Sequence, residues 1–190
     1  MWQRKERLFM SKTNKVRGYG SLKVLTVSAM LAAISVVIGI VCKNFFTFNV
    51  YYRVTFENLP IIFAGIVFGP FVGAAVGVVA DIVSCLSSTN PALNPLITVG
   101  AASVGFVSGA VAKWIVKRRG SLQIAISVAS AHLIGQVAIK SVAKILWFGM
   151  PKIGVLLGLG ISAVVGILEF LAIKYLLSRK AITAQLEVTK

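Results

Sequence analysis

Tyr52-Arg53-Val54-Thr55-Phe56-Glu57-Asn58-Leu59-Pro60, continued to Gly69-Pro70 and Asp81, sets an arginine, two acids and helix-breaking residues inside an otherwise apolar chain. Asn58 stands where a helix cap belongs. Pro60 falls in the first turn, where a missing N–H costs nothing. The helix must stop at Gly69-Pro70, about 12 residues on, which gives about 18 Å of rise. A bilayer core is about 30 Å thick. The next apolar run, Phe71 to Leu86, is also short. Both runs carry glycines (Gly65, Gly69, Gly73, Gly77) that permit close helix packing. Short helices interrupted by Gly and Pro point to a binding site in a membrane protein.

Outward from this stretch, composition names the solvent. The 190 residues are 57% hydrophobic and 13% charged, about half the charge of a soluble domain. That size and hydropathy suit one compact membrane domain. The net charge is +15, from 20 Lys+Arg against 5 Asp+Glu. A nucleic-acid binder carries such charge but not such hydropathy, so the expected surrounding is a lipid bilayer and no nucleic acid is expected as a partner. Cys42 and Cys85 lie in apolar runs and read as small core residues rather than a disulfide. No metal-ligand spacing occurs, and no cofactor is expected. A long basic leader precedes the first apolar run, and no cleavage pattern follows that run, so no signal peptide is expected.

The fold class expected is an all-α membrane protein with six transmembrane helices. Residues 1–21 form a basic arm, 22–177 the six-helix domain and 178–190 a polar tail. The spans expected are Leu22 to Cys42, Asn58 to Gly69, Phe71 to Leu86, Leu96 to Val116, Leu122 to Leu146 and Ile153 to Leu177. Six spans put both termini on one side. The arm with Lys23, the segment 113–119 and the portion from Lys174 onward hold seven, four and four basic residues. The opposite loops hold only Lys43, Arg53 and Lys152. Both termini are therefore expected in the cytoplasm.

Charges within spans are costly and are functional hypotheses by default. Helical rise sets Glu57 about 18 Å above the inner face, with Asp81 and His132 at about 15 Å. Gln136, Lys140 and Lys144 follow His132 at four-residue steps, which keep one helical face. They reach about 21, 27 and 33 Å. The expectation is a graded site, acids and histidine near mid-membrane and bases above them. It suits a ligand with a donor-rich head pointing in and an anionic tail pointing out. The competing reading is structural, with Glu57–Arg53 or Asp81–Lys140 as ion pairs of a helix bundle. His132 is balanced between packed polar residue and ligand contact, and Trp147 between interfacial anchor and stacking platform. Glu169 is left open between Lys174 and an outside partner.

No phosphate loop, nucleophile elbow or zinc-binding His pair is present. No twofold repeat of the kind common in secondary transporters is visible. An enzyme is not expected, and a binding subunit powered by other chains fits better than an autonomous pump. Ala29 and Ala33, four apart on the first helix, offer a small-residue face that lets another helix approach.

The residues that carry a family resemblance are Arg53 to Pro60, Phe68-Gly69-Pro70 with Gly73, Gly77 and Asp81, and Asn94 to Thr98 with Gly100-Ala101-Ala102. Ala131 to Gly135, Lys140-Ser141 and Gly149-Met150-Pro151 complete them. On these the chain resembles the S components of energy-coupling factor (ECF) transporters, the substrate-binding membrane subunits of bacterial vitamin uptake systems. It is most similar to the folate-specific members.

The resemblance implies an outward-facing pocket, a bacterial cell membrane, a membrane coupling subunit met by Ala29 and Ala33, and two cytoplasmic ATPase subunits. A folate-like ligand then assigns Arg53, Phe56, Glu57, Asn58, Asp81, Asn94, His132, Gln136, Lys140 and Trp147 to substrate binding. The pterin edge suits Glu57 or Asp81, the glutamyl carboxylates suit Arg53, Lys140 and Lys144, and Tyr52, Phe56 or Trp147 suits ring stacking. An arginine followed by proline is expected early in the last helix of a folate member, and Ile153 to Ile161 contains neither. Another pterin, a deazapurine or a queuosine precursor stays open as substrate, as does a stand-alone proton-coupled carrier.

Overall fold

A computed structural model describes residues 22–45, 54–87, 94–116, 121–149 and 152–178. Within them the chain forms six helical rods. They are α1 (Leu22–Phe45), α2 (Asn58–Phe68), α3 (Pro70–Leu86), α4 (Pro95–Ala110), α5 and α6 (Lys152–Ser178). A π-helical turn, Val111–Ile115, prolongs α4. The fifth rod, α5, is composite: α-helical Ser121–Ala131, π-helical His132–Ile139 and α-helical Lys140–Phe148. The arm 1–21 and the tail beyond Ser178 lie outside the described residues.

Four segments are long and apolar enough to cross a bilayer: Leu22–Phe45, Pro95–Ile115, Ser121–Leu146 and Gly158–Ser178. The helices α2 and α3 are shorter, 11 and 17 residues. The break between them is set by Gly69, whose φ of 102° and ψ of 175° are open only to glycine. Pro70 then starts α3 at a position where its missing N–H is no loss. Asn58 does not cap α2. Glu57 takes the cap position in an α conformation, and Asn58 is already helical.

α2 is the buried core element. Ile61, Ile62, Phe63 and Ala64 are consecutive and all buried, so every side of the helix faces protein, as in a helix apolar all round. α4 packs against α2, α3 and α5, while α1 lies on α2 and α3, and α6 lies chiefly on α5. The α3–α4 seam is a backbone contact. A Cβ on Gly73 would stand 2.6 Å from the Gly105 carbonyl oxygen, and one on Gly109 would stand 2.6 Å from Pro70 N. The outward faces of α1 and α6 expose Leu25, Val37, Leu156, Val164, Ile167 and Leu171, surface that suits lipid rather than water. Cys42 and Cys85 are free thiols.

Asn94 caps α4 through its side-chain oxygen, which accepts from Leu96 N at 3.0 Å. Asn94→Ala is expected to lower stability by about 1 kcal/mol, the usual worth of such a cap. Thermal unfolding of the purified protein checks this.

Candidate substrate-binding site

The candidate site lies where the start of α2 meets α1, α3, α4 and α5. Glu57 is buried, and its backbone carbonyl accepts a 2.6 Å hydrogen bond from Ser35 Oγ on α1. Its N–H donates to Thr55 Oγ1 at 3.2 Å. The carboxylate lies over Gly39, where a Cβ would stand 2.9 Å from Oε2. Gly39 therefore clears the place the acid occupies. Ser35, Gly39 and Lys43 are four apart and share one face of α1. Lys43 Nζ donates to the Ser84 carbonyl on α3 at 3.1 Å.

Lys140 comes to this acid from α5. Its Nζ is 3.7 Å from Glu57 Oε1, and both residues are buried. Its aliphatic stem runs over Gly100 of α4, where a Cβ would stand 2.7 Å from Lys140 Cγ. The depth arithmetic set Lys140 a layer above Glu57, but its Nζ reaches to within 3.7 Å of the acid. Two causes act together. The wide π-helical turns before Lys140 pack more residues into each turn, so rise per residue falls, and the long stem lets Nζ reach down.

Asp81 makes a different contact. Its Oδ2 accepts from Thr98 Oγ1 at 2.7 Å, tying α3 to α4. Asp81 is half-buried. Asn94 stands one turn before Thr98, and its Nδ2 is buried with no hydrogen-bond partner among the described residues. Asn58, fully buried, has neither amide atom partnered among the described residues. Buried polar atoms without partners are rare, because each forfeits its hydration. Phe56 and Gln136 are half-buried.

His132 is turned to α6. Its Nε2 is 2.7 Å from Glu169 Oε2 and its Nδ1 is 3.0 Å from Ser162 Oγ. Glu169 is fully enclosed, so the acid left open in the sequence pairs with the histidine rather than with Lys174. Lys174 Nζ sits over the Phe170 ring, 5.9 Å from its centroid. Besides His132, Glu57 and Lys140 lie within electrostatic reach of Glu169. Four-residue spacing put His132 and Lys140 on one face. The π-helical segment between them turns them to different neighbours.

The structure thus brings Glu57, Asn58 and Lys140 to one region and joins Asp81 to Asn94 through Thr98. His132 goes to α6. Arg53 lies outside the described residues, and of Trp147 only the helical backbone is described. Ala29 and Ala33 are exposed on α1. Sequence reasoning gave no role to Thr98, Gly39, Gly100 or Glu169 as the histidine's partner. The i, i+4 series Ser35-Gly39-Lys43 was the signal available for the α1 face.

Among solved structures, the chain is similar to one titled "Crystal structure of FolT bound with folic acid", with a TM-score of 0.67 and 19% sequence identity. The match covers 83% of this chain and 93% of that one, and at that identity it speaks for the fold. Comparison with curated proteins gave no match. The family model "ECF transporter, substrate-specific component" matches residues 23–186, nearly the whole helical domain, and the chain belongs to that family.

Proposed function

We propose that this chain is the folate- or pterin-binding subunit of an ECF uptake system, with Glu57, Asn58, Asp81, Asn94 and Lys140 at the centre of its site. The family is a substrate-binding transporter component of the membrane and is not itself an enzyme. The finer reading rests on one observation above the others. Asn58 is fully buried with both amide atoms unpartnered among the described residues, next in sequence to a buried acid that meets a buried lysine. An amide offers one acceptor and donors, and a carboxylate offers two acceptors. A pterin edge carries the complementary set, a ring N–H and amino group beside a carbonyl. Lys140 suits a carboxylate of the tail. The solved fold relative holding folic acid supports the same class of ligand.

In this reading all six rods lie in the bacterial plasma membrane, with α2 and α3 short because the site opens above them. Both termini are cytoplasmic, in keeping with where the basic residues collect. The exposed Ala29 and Ala33 on α1 meet a membrane coupling subunit, which two cytoplasmic ATPase subunits drive.

A thermal-shift and calorimetric series on the purified full chain tests this, with folic acid, a pterin lacking the glutamate, and a deazapurine base. Folic acid is expected to bind below about 1 μM, which is about −8 kcal/mol. Lys140→Ala should weaken folic acid more than the pterin fragment, and an equal loss for both would reverse the proposed orientation. No binding of either pterin would remove the substrate while leaving the family. Tight binding of the deazapurine alone would favour that class, which the absent Arg-Pro pair in α6 also suits. Uptake into liposomes by this chain alone, driven by a pH gradient, would overturn the need for an ATPase module.

A further inference from the structure

We infer that Glu169 is a positioning residue: by holding His132 it sets the rotation of the outer half of α5, and so presents Lys140 to Glu57.

Both ring nitrogens of His132 are taken by α6, Nε2 by Glu169 and Nδ1 by Ser162. The ring lies over Gly166, its Cδ2 3.5 Å from where a Cβ would stand. The imidazole is thus held by Glu169, Ser162 and Gly166 of one neighbouring helix. His132 is also the first residue of the π-helical segment, whose last bond is closed by Lys140 N–H donating to Gly135 O, five residues back. Gly135 is wedged against α4, within 3.1 Å of Gly100 O by its Cβ position. The segment is therefore pinned to α6 at its start, to α4 in its middle, and delivers Lys140 at its end.

π-helical turns are rare because their hydrogen bonds are longer-looped, and they recur at functional sites. An α-helix advances about 100° per residue. If the segment relaxed to α-helix, one residue would be released and everything after it would turn by about that angle. Lys140 would leave Glu57, and Ala143, fully buried at present, would turn outward. The clip at His132 resists this, because rotating the segment breaks hydrogen bonds among groups shielded from water. Only the consequence for the ligand rests on the function proposed above. The rotation itself is testable without any ligand.

The experiment uses the full chain in detergent, with Ala143→Cys in a Cys42→Ala/Cys85→Ala background, and reads the rate of maleimide labelling. Labelling is expected to be slow with Glu169 present and to rise at least about tenfold in Glu169→Leu. Glu169→Gln keeps an oxygen that accepts from the imidazole and is expected to restore the slow rate. A folded Glu169→Leu that labels as slowly as its parent overturns the inference, as does a Glu169→Gln that labels as fast as the leucine variant. If Glu169→Leu does not fold, the unmodified protein decides through its one histidine. Nitrogen-15 labelling then gives one ring, which should show a hydrogen-bonded N–H protected from exchange. A freely exchanging ring overturns the inference. Failure of folic acid to bind leaves both measurements intact, so the two readings fail separately.

Discussion

Glu57→Ala should lower the melting temperature by roughly 10 °C, from a loss of about 3–5 kcal/mol. The cost does not come from the carboxylate's own contacts. It comes from Lys140, which is buried and would lose the carboxylate 3.7 Å from its Nζ. A buried pair is weak evidence for stability as a pair, yet removing one partner strands the other. Two comparisons separate these effects. The Ser35 hydrogen bond goes to the backbone carbonyl of residue 57, so it survives the substitution and the start of α2 stays anchored. The double variant Glu57→Gln/Lys140→Met carries no stranded charge and should recover most of the loss. Thermal unfolding of Glu57→Gln, Lys140→Met and the double gives the coupling directly. If the double is as unstable as Glu57→Ala, the loss is a packing defect at the start of α2 and the charge argument is wrong.

Gly105→Val should prevent accumulation of folded protein, because the α3–α4 seam has no room for a side chain. A Cβ there would overlap the Gly73 carbonyl group and stand 2.9 Å from Ala74 N. Those neighbours are backbone, so no rotamer relieves the clash and the helices must part. Overpacking a tight core costs about 1–3 kcal/mol, and more where backbone has to move. Small residues at such seams let helices approach within a membrane. Gly158→Val is the control. A Cβ there meets nothing within 4 Å among the described residues, so its effect should stay near the helix-propensity scale, below about 1 kcal/mol. Equal loss in both variants would locate the effect in valine itself rather than in the seam.

How far the sequence can be read follows from these residues. The break at Gly69-Pro70 was legible because it is local: a proline lacks an N–H, and only glycine takes the backbone angles found there. The short second helix and the long apolar rods were legible from run length, and the intramembrane charges from their expense. The partners of those charges were not. Asp81 was weighed against Lys140, and Glu57 against Arg53, which lies outside the described residues. The contacts described are Glu57 with Lys140 and Asp81 with Thr98. Glu169 had no assigned partner until α5 and α6 were laid side by side. Nothing in Ala131-His132-Leu133-Ile134-Gly135 announces a π-helical segment, since no proline marks it.

Composition, span lengths, breaks and membrane character depend on neighbours within a few turns, so the chain's order of residues is enough to establish them. Which acid meets which base depends on helix rotation. A single extra residue in a turn swings everything beyond it by about 100°, and the bilayer charges heavily for any ionic group left facing the wrong way. That rotation is settled by packing across helices, by His132 on α6, Gly135 on α4 and Lys140 on Glu57. Tertiary structure decided it because the contacts that set the angle lie far apart along the chain.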